Sequence, residues 1–250
     1  MEISIAAEKL FSIGAMPVTN ALLIGVLVSA FLIWVITRAT KNPALIPRGM
    51  QNVIEIIFEA LLDLVESVTQ DKKQARQFFP LIATIFLFVL ISNWAGLLPG
   101  LGTVGVYGEH NGHHTIIPFL RSTSADLNFT LALSLIAVMT VQFTGIAALG
   151  IMKYGKKFFI SPFHKPYGIG TAVGVLELVS EVGKIISFTF RLFGNVFAGE
   201  VLLTVMLHLV PYFLPLPFMF LEVFVGFIQA VVFAMLTLVF LKMSTLEPEH

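Results

Sequence analysis

Apolar residues in this chain fall into five long runs broken by short polar turns, a spacing that predicts five membrane-crossing helices. The first run, 17–37, has about 21 residues, enough to cross a hydrocarbon core of about 30 Å. Pro17 suits its first turn, where a missing N–H costs nothing. The predicted spans are 17–38, 78–98, 125–152, 167–208 and 218–242, all within one membrane domain, 1–250. Residues 49–70 follow another rule. Glu55, Glu59, Asp63, Glu66 and Gln70 recur at steps of four and three, while Ile54, Ile57, Phe58, Leu61, Leu62 and Val65 fill the other side. That period is an amphipathic helix, and four acids exclude it as a span, so it should lie in the interface or pack on its neighbours. The run from Tyr167 to His208 has no proline. As one helix it would be about 63 Å long, roughly twice the hydrocarbon thickness, so it either breaks or tilts steeply.

Composition sharpens the class. Of 250 residues, 57% are hydrophobic and only 12% charged, with mean hydropathy +0.91. A soluble domain carries about twice that charge. Bases and acids are equal at 15 each, so no net charge points to nucleic acid. The absence of cysteine excludes disulfides, thiolate metal sites and thiol nucleophiles. Met1 to Met16 lack a basic stretch before a short apolar core, which argues against a cleaved signal peptide. Bases gather in the turn Arg38 to Lys41, around the amphipathic helix, at Lys153, Lys156, Lys157 and Lys165, and at Lys242. The alternate loops hold few, with Arg121 the exception. The positive-inside rule therefore puts the N-terminus outside and the C-terminus in the cytoplasm.

Arg191 is the most expensive residue in the chain. It sits inside Phe190-Arg191-Leu192-Phe193-Gly194-Asn195, deep in an apolar run. Arginine keeps its proton at any ordinary pH. In hydrocarbon it costs about 2.5–3.5 kcal/mol on insertion scales and about 10–17 by simulation. It lies too far from either end of the run to snorkel unless the helix tilts. Glu177, Lys184 and Arg191 are seven apart and so share a helix face, with Ser180 and Glu181 beside them and Asn195 one turn beyond. Glu200 lies about half a turn round the axis, and the last span adds Glu222 and Gln229. Blander readings compete: interfacial solvation for Glu177, Lys184 and Glu222, and a helix-to-helix hydrogen bond for Gln229. Ser124 is a plausible N-cap of the third span, with Asp126 complementing the helix's positive end and Asn128 beside it. Glu109, His110, His113 and His114 could bind a metal, but their loop lacks a regular scaffold, and a solvated loop is the better reading. No phosphate-cradling glycine loop is present.

Arg191-Leu-Phe-Gly-Asn195 followed by Ala198-Gly199-Glu200 closely resembles the signature of subunit a of the F-type ATP synthase. Glu177 and Lys184 fall at the family's intervals. Ile228-Gln229-Ala230 to Leu236-Thr237, Ser92-Asn93-Trp94 through Leu97-Leu98-Pro99-Gly100, and Ser124-Ala-Asp126-Leu-Asn128 match as well. The chain departs at Ile185, where many members have proline, and at Glu222, where some have histidine. The resemblance implies an all-α membrane protein: five transmembrane helices plus one amphipathic interfacial helix, the last two long helices forming a tilted hairpin against a ring of c subunits. It implies a non-catalytic stator subunit with two half-channels separated by the essential arginine, coupling ion flow to rotation and ATP synthesis. The outer half-channel would use Glu200, Glu222 and Asn195, with Gln229 close to Arg191 and Asp126 and Asn128 extending it. Glu177, Glu181 and Lys184 would line the cytoplasmic exit. Implied partners are the c-ring carboxylate, the peripheral-stalk b subunits, the lipid bilayer and the translocated proton, with sodium the other candidate ion. No cofactor is implied. A bacterial plasma (inner) membrane is expected, with a thylakoid as the alternative. Two other functions compete: an ion-coupled secondary carrier, which would call for repeat symmetry and broken midplane helices, and a non-transporting membrane anchor.

Overall fold

The computed structural model describes residues 9–13, 16–41, 43–98, 105–110, 113–118, 121–158, 169–210 and 213–246. In chain order its elements are β1 (Lys9–Ile13), β2 (Met16–Thr19), α1 (Asn20–Thr40), α2 (Met50–Thr69), α3 (Lys72–Ala95), β3 (Gly105–His110), β4 (His113–Pro118), α4 (Leu127–Leu149), α5 (Ile151–Phe158), α6 (Ile169–Leu209) and α7 (Pro215–Thr245). Five of these, α1, α3, α4, α6 and α7, are long and apolar enough to cross a membrane. α2 exposes Glu59 and Asp63, leaves Glu55 and Glu66 half-buried, and buries Leu61, Val65 and Thr69. α6 does not break: it runs 41 residues without interruption.

α3 is the most enclosed span and α6 the least. Phe78, Ile82, Phe86 and Val89 of α3 meet Ala230, Phe233, Ala234 and Leu238 of α7, with Phe188, Leu192 and Val196 of α6 joining the same core. Lipid tails are as apolar as these side chains, so the helices associate through close packing and buried hydrogen bonds. Both are visible between α3 and α7. Asn93 Nδ2 donates to the Gly226 carbonyl at 3.1 Å, and Trp94 Nε1 to the Val223 carbonyl at 3.0 Å. At the other end, Lys242 Nζ donates to the Val68 carbonyl at 2.8 Å. That places a cation on the negative end of α2 and ties the amphipathic helix to α7.

Several local expectations change. Pro17 belongs to β2, not to a helix, and Thr19 caps α1 by accepting from the Leu22 N–H at 3.2 Å. Ser124 lies in a short 3-10 turn, Thr123–Ala125, and Asp126 is the cap of α4 instead, accepting from the Asn128 N–H at 3.0 Å. The third span stops at Leu149: Gly150 adopts φ +81°, a conformation that favours glycine, and starts the separate helix α5. The loop after α3 has a regular scaffold after all. β3 and β4 pair antiparallel, with Glu109 opposite His114 and His110 opposite His113. The side chains of those four lie outside the described residues, among which no group of three or more His, Asp or Glu could hold a metal.

Candidate functional site

One face of α6 is open to the surroundings along its middle. Ser180, Gly183, Ser187, Arg191, Asn195 and Ala198 all lie exposed there, at steps of three and four. Every member except Arg191 is small or short and polar. Phe188, Leu192 and Val196 point the other way into the core, so the open face is the side the bundle leaves uncovered. Arg191 reaches back one turn, its Nη2 donating to Ser187 Oγ at 3.2 Å. Among the described residues it has no carboxylate partner. Asn195 is exposed one turn beyond it, and Gln229 is half-buried on α7.

Beyond Arg191 toward the α6 C-terminus, two carboxylates are held in different ways. Glu200 is clamped by Arg121: Nε lies 3.0 and 3.2 Å from the two carboxylate oxygens, and Nη2 lies 3.1 Å from Oε2. Arg121 is 8% exposed and Glu200 34%, so the pair is open to the surroundings mainly on the acid's side. Close packing delivers Arg121 there. A Cβ at Gly96 would lie 2.5 Å from Ser122 Cβ, so only glycine lets residues 121–123 settle against the end of α3. Glu222 sits buried on α7 against α6, and a Cβ at Gly199 would lie 2.0 Å from its Oε2. Gly199 thus makes room for one acid and immediately precedes the other. Asp126 is buried as a helix cap, and Asn128 is exposed beside it. Around this end, the buried Oγ of Ser92, Oδ1 of Asn93, Oγ1 of Thr123 and Oγ of Ser124 have no hydrogen-bond partner among the described residues. Buried polar atoms of this kind are ordinarily met by internal water.

Before Arg191, at the α5 end, one ion pair lies within a single helix. Lys184 Nζ lies 2.6 Å from Glu181 Oε1 on the same helix and 4.9 Å from the centroid of the Phe240 ring. A cavity of about 420 Å³ opens beside them between α4, α5, α6 and α7, and Glu177, Ser180, Glu181, Lys184, Lys153 and Tyr154 are among its walls. The Tyr154 hydroxyl hydrogen-bonds Gln142 Oε1. Burial pushes the Tyr154 phenol up to about 12, with the carboxylates of Glu181 and Glu177 adding to the shift. It is therefore a neutral donor at ordinary pH.

The structure brings Glu177, Glu181 and Lys184 to one cavity, and Glu222 to the residue next to Glu200. Asp126 is engaged in capping. Two contributors escaped sequence reasoning. Arg121 was visible only as a base in a loop that should lack them, and that anomaly is the signal that could have found it. Tyr154 carried no signal: nothing in a lone tyrosine among lysines points back to Gln142.

The arrangement combines a fixed cation at mid-helix with separate polar clusters toward the two ends of α6, which suits moving an ion better than making or breaking a covalent bond. Comparison with known proteins agrees. The family model for the ATP synthase A chain matches residues 18–242. The chain is 34% identical to ATP synthase subunit a of Campylobacter jejuni over 228 residues, 89% of this chain and 88% of that one. It is 31% identical to that of Moorella thermoacetica over 234 residues, 93% and 94% respectively, and 33% identical to that of Campylobacter fetus over 230 residues, 90% and 89%.

Proposed function

The chain belongs to the ATP synthase A chain family, and on that premise we propose that Arg191 is the fixed charge separating two half-channels for a translocated proton. Subunit a is the non-catalytic, proton-translocating stator subunit of the membrane-bound ATP synthase complex. The observation that carries the role of Arg191 is its position: the one charge on the uncovered middle of α6, among side chains small enough for another surface to approach closely. The partner on that surface is the carboxylate of a c-ring subunit.

The physics of the role follows from the arginine. A carboxylate must be protonated to enter lipid, and facing Arg191 its anion is favoured, so the proton leaves there. Arg191 does not become neutral and so does not relay that proton from one half-channel to the other. One elementary charge crossing 100 mV releases about 2.3 kcal/mol, which biases rotation. The contact must stay hydrated, because a dry pair at low dielectric would hold the ring still.

The outer half-channel runs past Glu200, Glu222 and Asn195, with Gln229 on the facing helix and Asp126 and Asn128 near its mouth. The buried oxygens of Ser92, Asn93, Thr123 and Ser124, without a partner among the described residues, support water at that end. Glu177, Glu181 and Lys184 line the exit on the cytoplasmic side. The basic turns support an N-terminus outside and a C-terminus in the cytoplasm of a bacterial plasma membrane. The peripheral-stalk b subunits are further partners, and the ion is a proton.

Arg191→Ala in the assembled complex should abolish proton-driven ATP synthesis, read as ATP formed by energised inverted vesicles. Intact synthesis would sink the motor reading. Arg191→Lys should also lose coupling, because lysine can shed its proton; normal coupling in that variant would refute the insulation argument. A small, very apolar hairpin subunit co-purifying in several copies in mild detergent would be the expected companion.

A further inference from the structure

We propose that Tyr154 is a positioning residue whose ring closes the α5 side of the cavity at Glu177 and Glu181, keeping the inner half of the ion path narrow. The proposal rests on the reading of that end of α6 as the cytoplasmic exit. Its local basis is independent of that reading.

Three features seat the ring. Gly150, at φ +81°, ends α4 and turns the chain into α5, which carries Tyr154 back against the helix it has just left. The ring then fills a notch that only glycine leaves open. A Cβ at Gly145 would lie 2.4 Å from Tyr154 Cε2 and 3.0 Å from the Ser244 carbonyl oxygen of α7. The hydroxyl bonds Gln142 one turn earlier on α4, which fixes the ring's rotation as well as its depth. The result is a tyrosine only 5% exposed at the end of the bundle, wedged between α4 and α7 and lining the cavity that Glu177, Ser180, Glu181 and Lys184 line from α6.

The chemistry of a phenol suits this place. A path that ends at carboxylates must admit a chain of water, but a wide mouth also admits hydrated metal cations that compete for the same acids. A charged plug would itself attract or repel the ion. A neutral aromatic ring narrows the opening with a large apolar body and adds no charge. Its hydroxyl stays protonated beside two acids, so the plug does not switch off as the pH varies around neutrality.

The test uses the absence of cysteine from the chain. Val141→Cys puts a thiol on the buried α4 wall of the cavity, one turn from Gly145, and Ser67→Cys puts a control on the exposed face of α2. Both are labelled in inverted vesicles holding the assembled complex, with a membrane-impermeant maleimide, and the modified subunit is read by mass. Adding Tyr154→Ala should raise the labelling rate at Val141→Cys about tenfold, because labelling follows the open population. Gly145→Ala, which evicts the ring while leaving it in the sequence, should do the same. Tyr154→Phe, which keeps the ring in its notch, should stay within about twofold. The Ser67→Cys rate should not change in any of these. Unchanged labelling at Val141→Cys in Gly145→Ala, or an equal rise at Ser67→Cys, overturns the proposal, and Gly145→Ala decides if Tyr154→Ala does not assemble. None of these readouts depends on ion flow, so failure of the half-channel reading, which Arg191→Ala tests, is distinguishable from failure of this one.

Discussion

The two ends of α6 carry similar charge but hold it by opposite means. Toward the α5 end, Glu181 is paired with Lys184 three residues along the same helix. Toward the other end, Glu200 is paired with Arg121, which lies 79 residues earlier in the chain and outside any membrane-spanning helix. The contact of the first pair needs only a helix, since residues three apart are neighbours on its surface, with the Phe240 ring of α7 added over Lys184. The second exists only if α3, the turn at 121–125 and α6 are all assembled. The chain thus places the cation of one acid by local geometry and that of the other by tertiary structure. The Glu200 end should therefore be the more sensitive to substitution, both of its partners and of the glycines that admit them.

The largest expected effect is Arg121→Ala. It leaves Glu200 without its cation in a setting open mainly on the acid's side, and hydrogen bonds to charged groups are worth about 1.5–3 kcal/mol. Glu200 is a third exposed, so the loss falls below that of a fully buried pair. A destabilisation of about 2 kcal/mol, roughly thirtyfold in an equilibrium, is expected in thermal denaturation of the detergent-solubilised complex. The double variant with Glu200→Gln should recover part of it, because the uncompensated charge is gone. Strict additivity of the two single variants would show that the pair is not energetically coupled.

Next in size is Gly199→Ala. The new methyl would meet the carboxyl of Glu222 at 2.0 Å, and that carboxyl is the far end of a flexible side chain. Displacing it costs less than moving backbone, so stability should fall by only about 1 kcal/mol. Proton flux through the complex, followed by quenching of a pH-sensitive dye in vesicles, should fall about tenfold because Glu222 leaves its place between α6 and α7. Glu222→Gln added to Gly199→Ala should then change little, since the carboxyl is already displaced. If the two lower flux independently and multiplicatively, the contact between Gly199 and Glu222 is not what positions the acid.

The same contrast separates what the sequence could reveal from what it could not. Five spans, an amphipathic α2 and a long proline-free run ending near His208 were legible because each is a property of contiguous residues, whereas that the run does not break was not. Arg191 was legible because its cost in an apolar run is large whatever surrounds it. The pairing of Lys184 with its own helix's acids was within reach of spacing alone. By contrast, the clamp on Glu200 depends on Gly96 admitting Ser122 at the end of α3, a contact between residues 26 apart in sequence that no helical period encodes. Glu222, near the start of a span, read equally well as an interface residue or as a functional one, and its burial against Gly199 of the neighbouring helix was not encoded in its own span. Ser124 and Asp126 were both acceptable caps by type. The 3-10 turn of Thr123–Ala125 shifts the helix start so that Asp126 takes the role. Pro17 likewise suited a first turn, until pairing of β1 with β2 carried the chain to Thr19 before the helix began.

The smallest effect belongs to the local pair, and its smallness completes the contrast. Lys184→Met removes the contact with Glu181 while keeping most of the stem that packs over Phe240. Ion pairs within a helix are worth about 0.3–0.5 kcal/mol, and the ammonium over the Phe240 ring adds about 0.5–1. The pair is more enclosed than a surface pair, at 20% and 13% exposure, which weakens screening but also raises the cost of desolvating both charges. These terms oppose one another, so a net loss under about 1 kcal/mol is expected, well short of Arg121→Ala. Thermal denaturation of both variants in the same detergent at low and high salt makes the comparison direct. Both pairs are largely enclosed, so salt should erase neither deficit, and the Lys184 variant should keep the smaller of the two at both salt concentrations. Equal losses in the two variants would mean that α6 holds its acids alike at both ends, and that the distinction between a local and a tertiary pair carries no energetic weight in this protein.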